Sequence, residues 1–88
     1  MFNGRRSEIE IVSEILRLSL DGTKKTVILY QNNLSYTQLQ KYLPILLEKK
    51  FLEEISVEDN GNSHKSYKTT ASGLRLLDDI QKVMSHLY

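Results

Sequence analysis

Residues 34–48 read LSYTQLQKYLPILLE. Ser35 followed three residues later by Gln38 has the form of a capping box, in which each side chain accepts the other residue's backbone N–H. Leu34 before the cap and Leu39 four residues after it fit a hydrophobic staple. A helix therefore starts here with a fixed direction. Wound at the α-helical period, it turns Leu39, Tyr42, Leu43, Leu46 and Leu47 inward and leaves Thr37, Gln38, Gln40, Lys41, Pro44 and Ile45 on or beside the outward face. Pro44 has no N–H to give the Gln40 carbonyl, so it should kink or shorten this helix, while the half from Ser35 to Lys41 is unaffected.

Upstream, Ser7 and Glu10 repeat the capping-box pattern, and Ile9, Ile11, Val12, Ile15, Leu16, Leu18 and Leu20 recur at helical spacings that cover more than one face. A first helix from about Ser7 to Leu20 follows, with one apolar side for the core and another for a second contact. Gly22 ends it. Thr23 is placed to cap a short second helix carrying Val27, Ile28, Leu29 and Tyr30, which stops at the Gln31-Asn32-Asn33 turn. A short helix, a tight polar turn and a capped helix make a helix-turn-helix candidate.

Downstream the period changes. Leu52 to Val57 and Ser66 to Thr70 read as strands, separated by residues 58–65, whose Asn60-Gly61 pair is a strong turn signal. Leu74, Leu76, Leu77, Ile80, Val83, Met84 and Leu87 then return to helical spacing. Leu77, Ile80, Met84 and Leu87 alternate steps of three and four, as in a coiled-coil seam. The order is helix, helix, helix, hairpin, helix, an α+β arrangement with no internal repeat.

Composition sets the bounds on function. Eighty-eight residues hold one compact domain, expected over 1–88, and leave no room for a separate catalytic or effector-binding unit. With no cysteine there is no disulfide framework and no thiolate metal site. No apolar run approaches the ~20 residues of a membrane helix and no signal-peptide pattern opens the chain, so a cytoplasmic protein without membrane association is expected. The net charge of +1 is far from that of a strongly basic nucleic-acid binder. Its distribution is more informative: Lys24, Lys25, Lys41, Lys49 and Lys50 are offset only by Glu48, and the acidic block Glu53, Glu54, Glu58 and Asp59 follows, which implies one basic face.

The run Lys24-Lys25-Thr26 through Asn33-Leu34-Ser35-Tyr36, then Leu39, Tyr42-Leu43, Leu46-Leu47-Glu48-Lys49 and Phe51-Leu52, with Tyr67-Lys68-Thr69-Thr70 and Gly73 leading into the last helix, resembles the small winged helix-turn-helix DNA-binding proteins of archaea and their viruses. The resemblance spans nearly the whole chain. It implies a winged helix of three helices, a two-stranded wing and a long C-terminal helix, about 71–88, that pairs in an antiparallel coiled-coil homodimer. Lys50 stands where such sequences usually carry glycine, which implies either a left-handed lysine at a cost of ~1 kcal/mol or a different helix ending.

Candidate contacts follow from this placement. Gln38, Gln40 and Lys41 would be a merely solvated face on an arbitrary helix. On the second helix of a helix-turn-helix, with Ser35 and Thr37, they sit where base edges are reached, and Gln can pair with adenine as Lys can donate to guanine. Tyr36 either donates to a phosphate or packs its ring against the second helix. Lys24 and Lys25 fit phosphate clamps, whereas Arg5 and Arg6 read as a terminal tail. In the wing, His64 and Lys65 reach the minor groove or backbone, with Asp59 opposing. Leu77, Ile80, Val83, Met84 and Leu87 are the expected dimer seam. His64 and His86 do not make a metal site, and Asp78 and Asp79 project about 100° apart on a helix without a partner for acid–base chemistry. No nucleophile elbow, phosphate-binding loop or cofactor motif is present, so a non-enzymatic binder of double-stranded DNA, a transcription regulator or architectural factor, is expected. The alternative is a winged-helix protein-interaction module that does not bind DNA, which the near-neutral charge would suit.

Overall fold

Both capping boxes form. Ser7 Oγ accepts the Glu10 N–H at 3.2 Å while the Ser7 N–H donates to Glu10 Oε1 at 3.3 Å. Ser35 Oγ accepts the Gln38 N–H at 3.1 Å and the Ser35 N–H donates to Gln38 Oε1 at 3.0 Å. The computed structural model, which describes residues 7–87, accordingly starts α1 at Glu8 and α3 at Tyr36 (α1 Glu8–Leu18, α2 Lys25–Gln31, α3 Tyr36–Glu48). The chain continues as β1 Leu52–Asp59, β2 Asn62–Thr69 and α4 Ala71–Leu87.

The ends of these helices are set by contacts remote in sequence. α1 stops at Leu18, short of the expected Leu20, because the last turn is claimed by β2: the Thr69 N–H donates to the Ser19 carbonyl at 2.9 Å and Thr69 Oγ1 to the Leu16 carbonyl at 2.6 Å. Gly22, at φ +91°, then reverses the chain. Thr23 does not cap α2, as its residue type suggests. Its backbone instead exchanges two hydrogen bonds with Tyr67, at 2.9 and 2.8 Å, so that it forms a bridge beside β2, and Lys24 takes the cap position without a side-chain bond.

α2 and α3 close in the same way. The Leu34 N–H reaches the Leu29 carbonyl and the Asn33 N–H the Tyr30 carbonyl, while Phe51 and Lys50 do the same to Leu46 and Leu47. These are paired Schellman turns, each needing one left-handed residue, supplied by Asn33 at φ +52° and Lys50 at φ +67°. Lys50 therefore adopts the strained conformation rather than a different ending. Pro44 does not shorten α3, which runs unbroken to Glu48.

The hairpin is longer than its composition suggests. β1 and β2 pair from Leu52 opposite Thr69 to Asp59 opposite Asn62, leaving only Asn60 and Gly61 in the turn. Both have positive φ, +53° and +83°, as a type I′ turn requires. Residues 58–65 are thus mostly ladder, and their polarity reflects exposure on a ribbon that projects into solvent. Thr70 leaves the strand: its N–H donates to the Phe51 carbonyl, its Oγ1 donates to the Lys50 carbonyl at 2.6 Å and accepts the Gly73 N–H at 3.0 Å, capping α4.

One cluster forms the core. Ile11, Ile15 and Leu16 of α1 and Ile28 of α2 meet Leu34, the inward stripe Leu39, Tyr42, Leu43 and Leu46 of α3, Leu52 and Tyr67 of the hairpin, and Leu77 of α4. Leu34 and Leu39, the two halves of the staple, are both buried in it. α4 outruns this core. Beyond Ile80 its apolar residues emerge, Val83 at 46% and Leu87 at 65% exposure.

Candidate nucleic-acid interface

The outward face of α3 is occupied as its period dictates. Thr37, Gln38, Gln40, Lys41, Pro44 and Ile45 are exposed, and Leu47, expected inward, is half-buried at the edge. Helix α2 lies across the start of this face: Lys25 places its Nζ 5.5 Å from the centre of the Tyr36 ring. The ring is 54% exposed, so it packs beside α2 as a cation–π partner rather than as part of the core. Lys24, exposed, precedes it at the cap of α2.

Several of these side chains have partners within the chain. Gln38 Oε1 holds the Ser35 N–H, so its amide group is the part left for a ligand, and pairing both ends to one adenine competes with the cap. Gln40 Nε2 donates to the Tyr36 hydroxyl, tying two outward residues one turn apart. Lys41 Nζ lies 3.0 Å from Glu8 Oε1 at the start of α1 and 5.3 Å from the centre of the Tyr42 ring. Hydrogen bonding to Glu8 and its negative charge hold the Lys41 ammonium above the usual lysine range. On the wing, Lys65 Nζ lies 3.5 Å from Glu54 Oε1, and Tyr67, whose hydroxyl donates to Glu54 Oε2 at 3.2 Å, has its phenol pushed up, first by burial and then by that bond. His64 is half-buried opposite Val57, on the other face of the ribbon from Lys65. Arg5 and Arg6 lie outside the described residues.

A winged helix-turn-helix profile matches residues 5–87. The chain belongs to the winged helix-turn-helix family. The solved structure of Sso10a-2, a DNA-binding protein from Sulfolobus solfataricus, superposes with a TM-score of 0.76 at 27% identity, covering 91% of this chain and 80% of that one. No curated protein matches the sequence.

In winged helix-turn-helix terms, α2 and α3 are the helix-turn-helix, the β1–β2 ribbon is the wing, and the amino-terminal half of α3 has the place of a recognition helix. A second feature lies behind it. Ile9 and Val12 of α1, Ile45 of α3 and Leu76 and Ile80 of α4 line an open apolar groove floored by Tyr42 and rimmed by Glu8. This is the second apolar side of α1. Of the seam residues, Leu77 is buried within its own chain and Ile80 sits at the groove, whereas Val83, half-buried Met84 and Leu87 continue the stripe beyond the core. Among the described residues no group of three or more metal-ligating side chains comes together, and no helix is long and apolar enough to cross a membrane.

Glu8 and Glu54 are the functional candidates that sequence reasoning passed over. Glu8 is 33 residues from Lys41, and no periodicity connects them. Glu54 was within reach: a two-residue turn at Asn60-Gly61 places Lys65 opposite Ser56, diagonal to Glu54 on the same face.

Proposed function

We propose that this chain binds double-stranded DNA as a homodimer and acts as a transcription regulator or an architectural factor. The observation that carries the reading is the polar, exposed amino-terminal half of α3 on a winged helix-turn-helix scaffold. The DNA-binding character of the similar Sulfolobus protein supports it. Thr37, Gln38, Gln40 and Lys41 reach base edges in the major groove, with Ser35 fixing the helix start. Lys24 and Lys25 bind phosphates beside α2, the Tyr36 hydroxyl adds a donor, and at the wing Lys65 follows the backbone from one face of the ribbon while His64 is offered from the other. The protein is not an enzyme in this reading, and its place is the cytoplasm.

The dimer forms through α4. Val83, Met84 and Leu87 present an apolar stripe that their own chain does not cover, continuing from the buried Ile80, and a second copy of α4 supplies the missing cover. Leu77 supports the seam from within the core. Two-fold pairing presents two α3 helices to a pseudo-palindromic site. The protein-interaction alternative is favoured by the near-neutral charge and by the apolar groove beside Tyr42.

Anisotropy of a labelled duplex across a salt series separates the two readings. With about four phosphate contacts from Lys24 and Lys25 of two protomers, affinity should fall by ~10² between 50 and 200 mM salt. Absence of binding at low salt would leave the protein-docking role. Sedimentation tests the dimer: Met84→Asp should convert it to a monomer with much weaker DNA binding, and an intact Met84→Asp dimer would rule out the α4 seam.

A further inference from the structure

Two of the four lysines nominated for DNA contact on α3, the wing and α2 are occupied by the chain's own carboxylates. Lys41 on α3 is held by Glu8 at 3.0 Å, and Lys65 on β2 by Glu54 at 3.5 Å. The carboxylates come from different elements, α1 and β1, so the arrangement is not one local helix pattern repeated. Lys24 and Lys25 differ: neither makes an ion pair with another described residue, and Lys25 instead faces the Tyr36 ring.

We infer that Glu8 and Glu54 are intramolecular competitors of DNA, each occupying the lysine that a phosphate or base acceptor must take over when the duplex docks. This rests on the DNA-binding reading and adds two residues that set its strength and salt dependence. The pairs are solvent-exposed, with side-chain exposures of 59% and 70% for Lys41 and Glu8 and 67% and 41% for Lys65 and Glu54. Exposed pairs are weak, so DNA displaces them without unfolding anything. The paired carboxylate nevertheless remains beside the lysine and cancels its charge as seen by the duplex, which lowers the number of counterions released on binding. Docking is thereby carried first by Lys24 and Lys25, and contact through Lys41 and Lys65 is gained only where the duplex offers an acceptor good enough to replace a carboxylate.

The test uses Glu8→Gln and Glu54→Gln, which remove charge while keeping an oxygen acceptor, so that the Tyr67 hydroxyl retains a partner. Duplex affinity is measured by anisotropy from 50 to 200 mM salt on the intact protein, with circular dichroism confirming the fold of each variant. Each substitution should tighten binding roughly 2- to 10-fold at the low-salt end and steepen the log–log salt slope by about 1 to 2 per dimer. Asp78→Asn controls for net charge, since it breaks the Lys82–Asp78 pair on α4 at 3.0 Å and leaves the interface pairs alone; it should leave affinity unchanged. Glu8→Gln should also lose most of its effect in a Lys41→Ala background. Equal tightening in that background, or by Asp78→Asn, would show a general charge effect and overturn the inference. Unmodified protein that binds DNA no more weakly than the Glu8→Gln/Glu54→Gln double variant refutes the competition alone. If neither binds at low salt, the DNA-binding reading falls and the competition with it.

Discussion

Gly73→Ala should destabilise the protein, although an alanine inside a helix ordinarily stabilises it. Gly73 is the third residue of α4 and lies against the loop that follows α3. A Cβ added there would sit 2.1 Å from the Phe51 carbonyl oxygen and 2.7 Å from Thr69 Cγ2. Contact with a carbonyl oxygen needs well over 3 Å, so α4 or the loop must move by about 1 Å. The Phe51 oxygen accepts the Thr70 N–H at 3.1 Å, and Thr70 Oγ1 bridges the Lys50 carbonyl and the Gly73 N–H. A shift of that size strains three hydrogen bonds at once. The gain in helix propensity is ~1 kcal/mol. Against it stand overpacking at ~1–3 kcal/mol, and ~2 kcal/mol more from weakening the Thr70 cap and the Phe51 bond. The net loss is about 2–4 kcal/mol, which for a chain of this length lowers Tm by roughly 10–25 °C. Thermal unfolding followed by circular dichroism at matched protein concentration measures it. A Gly73→Ala protein as stable as the parent would refute the close approach of α4 to Phe51.

Replacing Lys50 by Gly should stabilise the protein by about 0.5–1 kcal/mol, because φ +67° is strained for any side chain but open to glycine; urea denaturation showing a loss would contradict the Schellman ending. Tyr67→Phe should change the alkaline limb of stability. The Tyr67 phenol is raised above its ordinary value of 10.0 in the folded state, so its contribution is whole below that pH and is lost as pH rises through the folded value. The parent's stability relative to Tyr67→Phe should therefore hold up to the ordinary phenol value of 10.0 and fall as pH rises above it, and a constant difference would show that the hydroxyl is not held neutral. Combined Lys24→Ala and Lys25→Ala should weaken binding to all duplexes alike and flatten the salt slope, and a loss confined to one sequence would argue against phosphate contact. Gln38→Ala should reduce discrimination on a selected site by ~1–3 kcal/mol where its amide reads a base. It also removes half of the α3 capping box, so stability must be measured beside affinity.

Those elements whose boundaries are written in neighbouring residues were legible in the sequence. Ser7 with Glu10 and Ser35 with Gln38 fixed the starts of α1 and α3, and the Leu34–Leu39 staple and the inward stripe of α3 followed from spacing alone. What required the tertiary structure were the places where a distant strand competes for a helix or turn. Thr69 takes the carbonyls of Leu16 and Ser19 and stops α1 early, and Tyr67 draws Thr23 into a bridge, leaving α2 uncapped by a side chain. The wing was underestimated for a different reason. Residues 58–65 contain almost nothing apolar, and strand patterns are recognised by alternation against a core. A two-stranded ribbon in solvent has no core to alternate against, and only the Asn60-Gly61 turn carries the register.

The candidate interface was legible as a set of residue types on a face, but not as a set of available groups. Periodicity places Gln38, Gln40 and Lys41 outward, and outward they are. It cannot say that Gln38 spends its oxygen on Ser35, that Gln40 donates to Tyr36, or that Glu8 reaches Lys41 across 33 residues of chain. Each of those bonds is made by a side chain that the unliganded protein would otherwise leave to water, and each must be kept, shared or broken when a duplex arrives. A capping bond engages only the oxygen of Gln38 and leaves its amide N–H groups to a ligand. An ion pair is exclusive in charge even where it is not exclusive in geometry. The outward residues of α3 thus divide by chemistry: the glutamines remain partly available while engaged, and Lys41 becomes fully so only when Glu8 is displaced or removed.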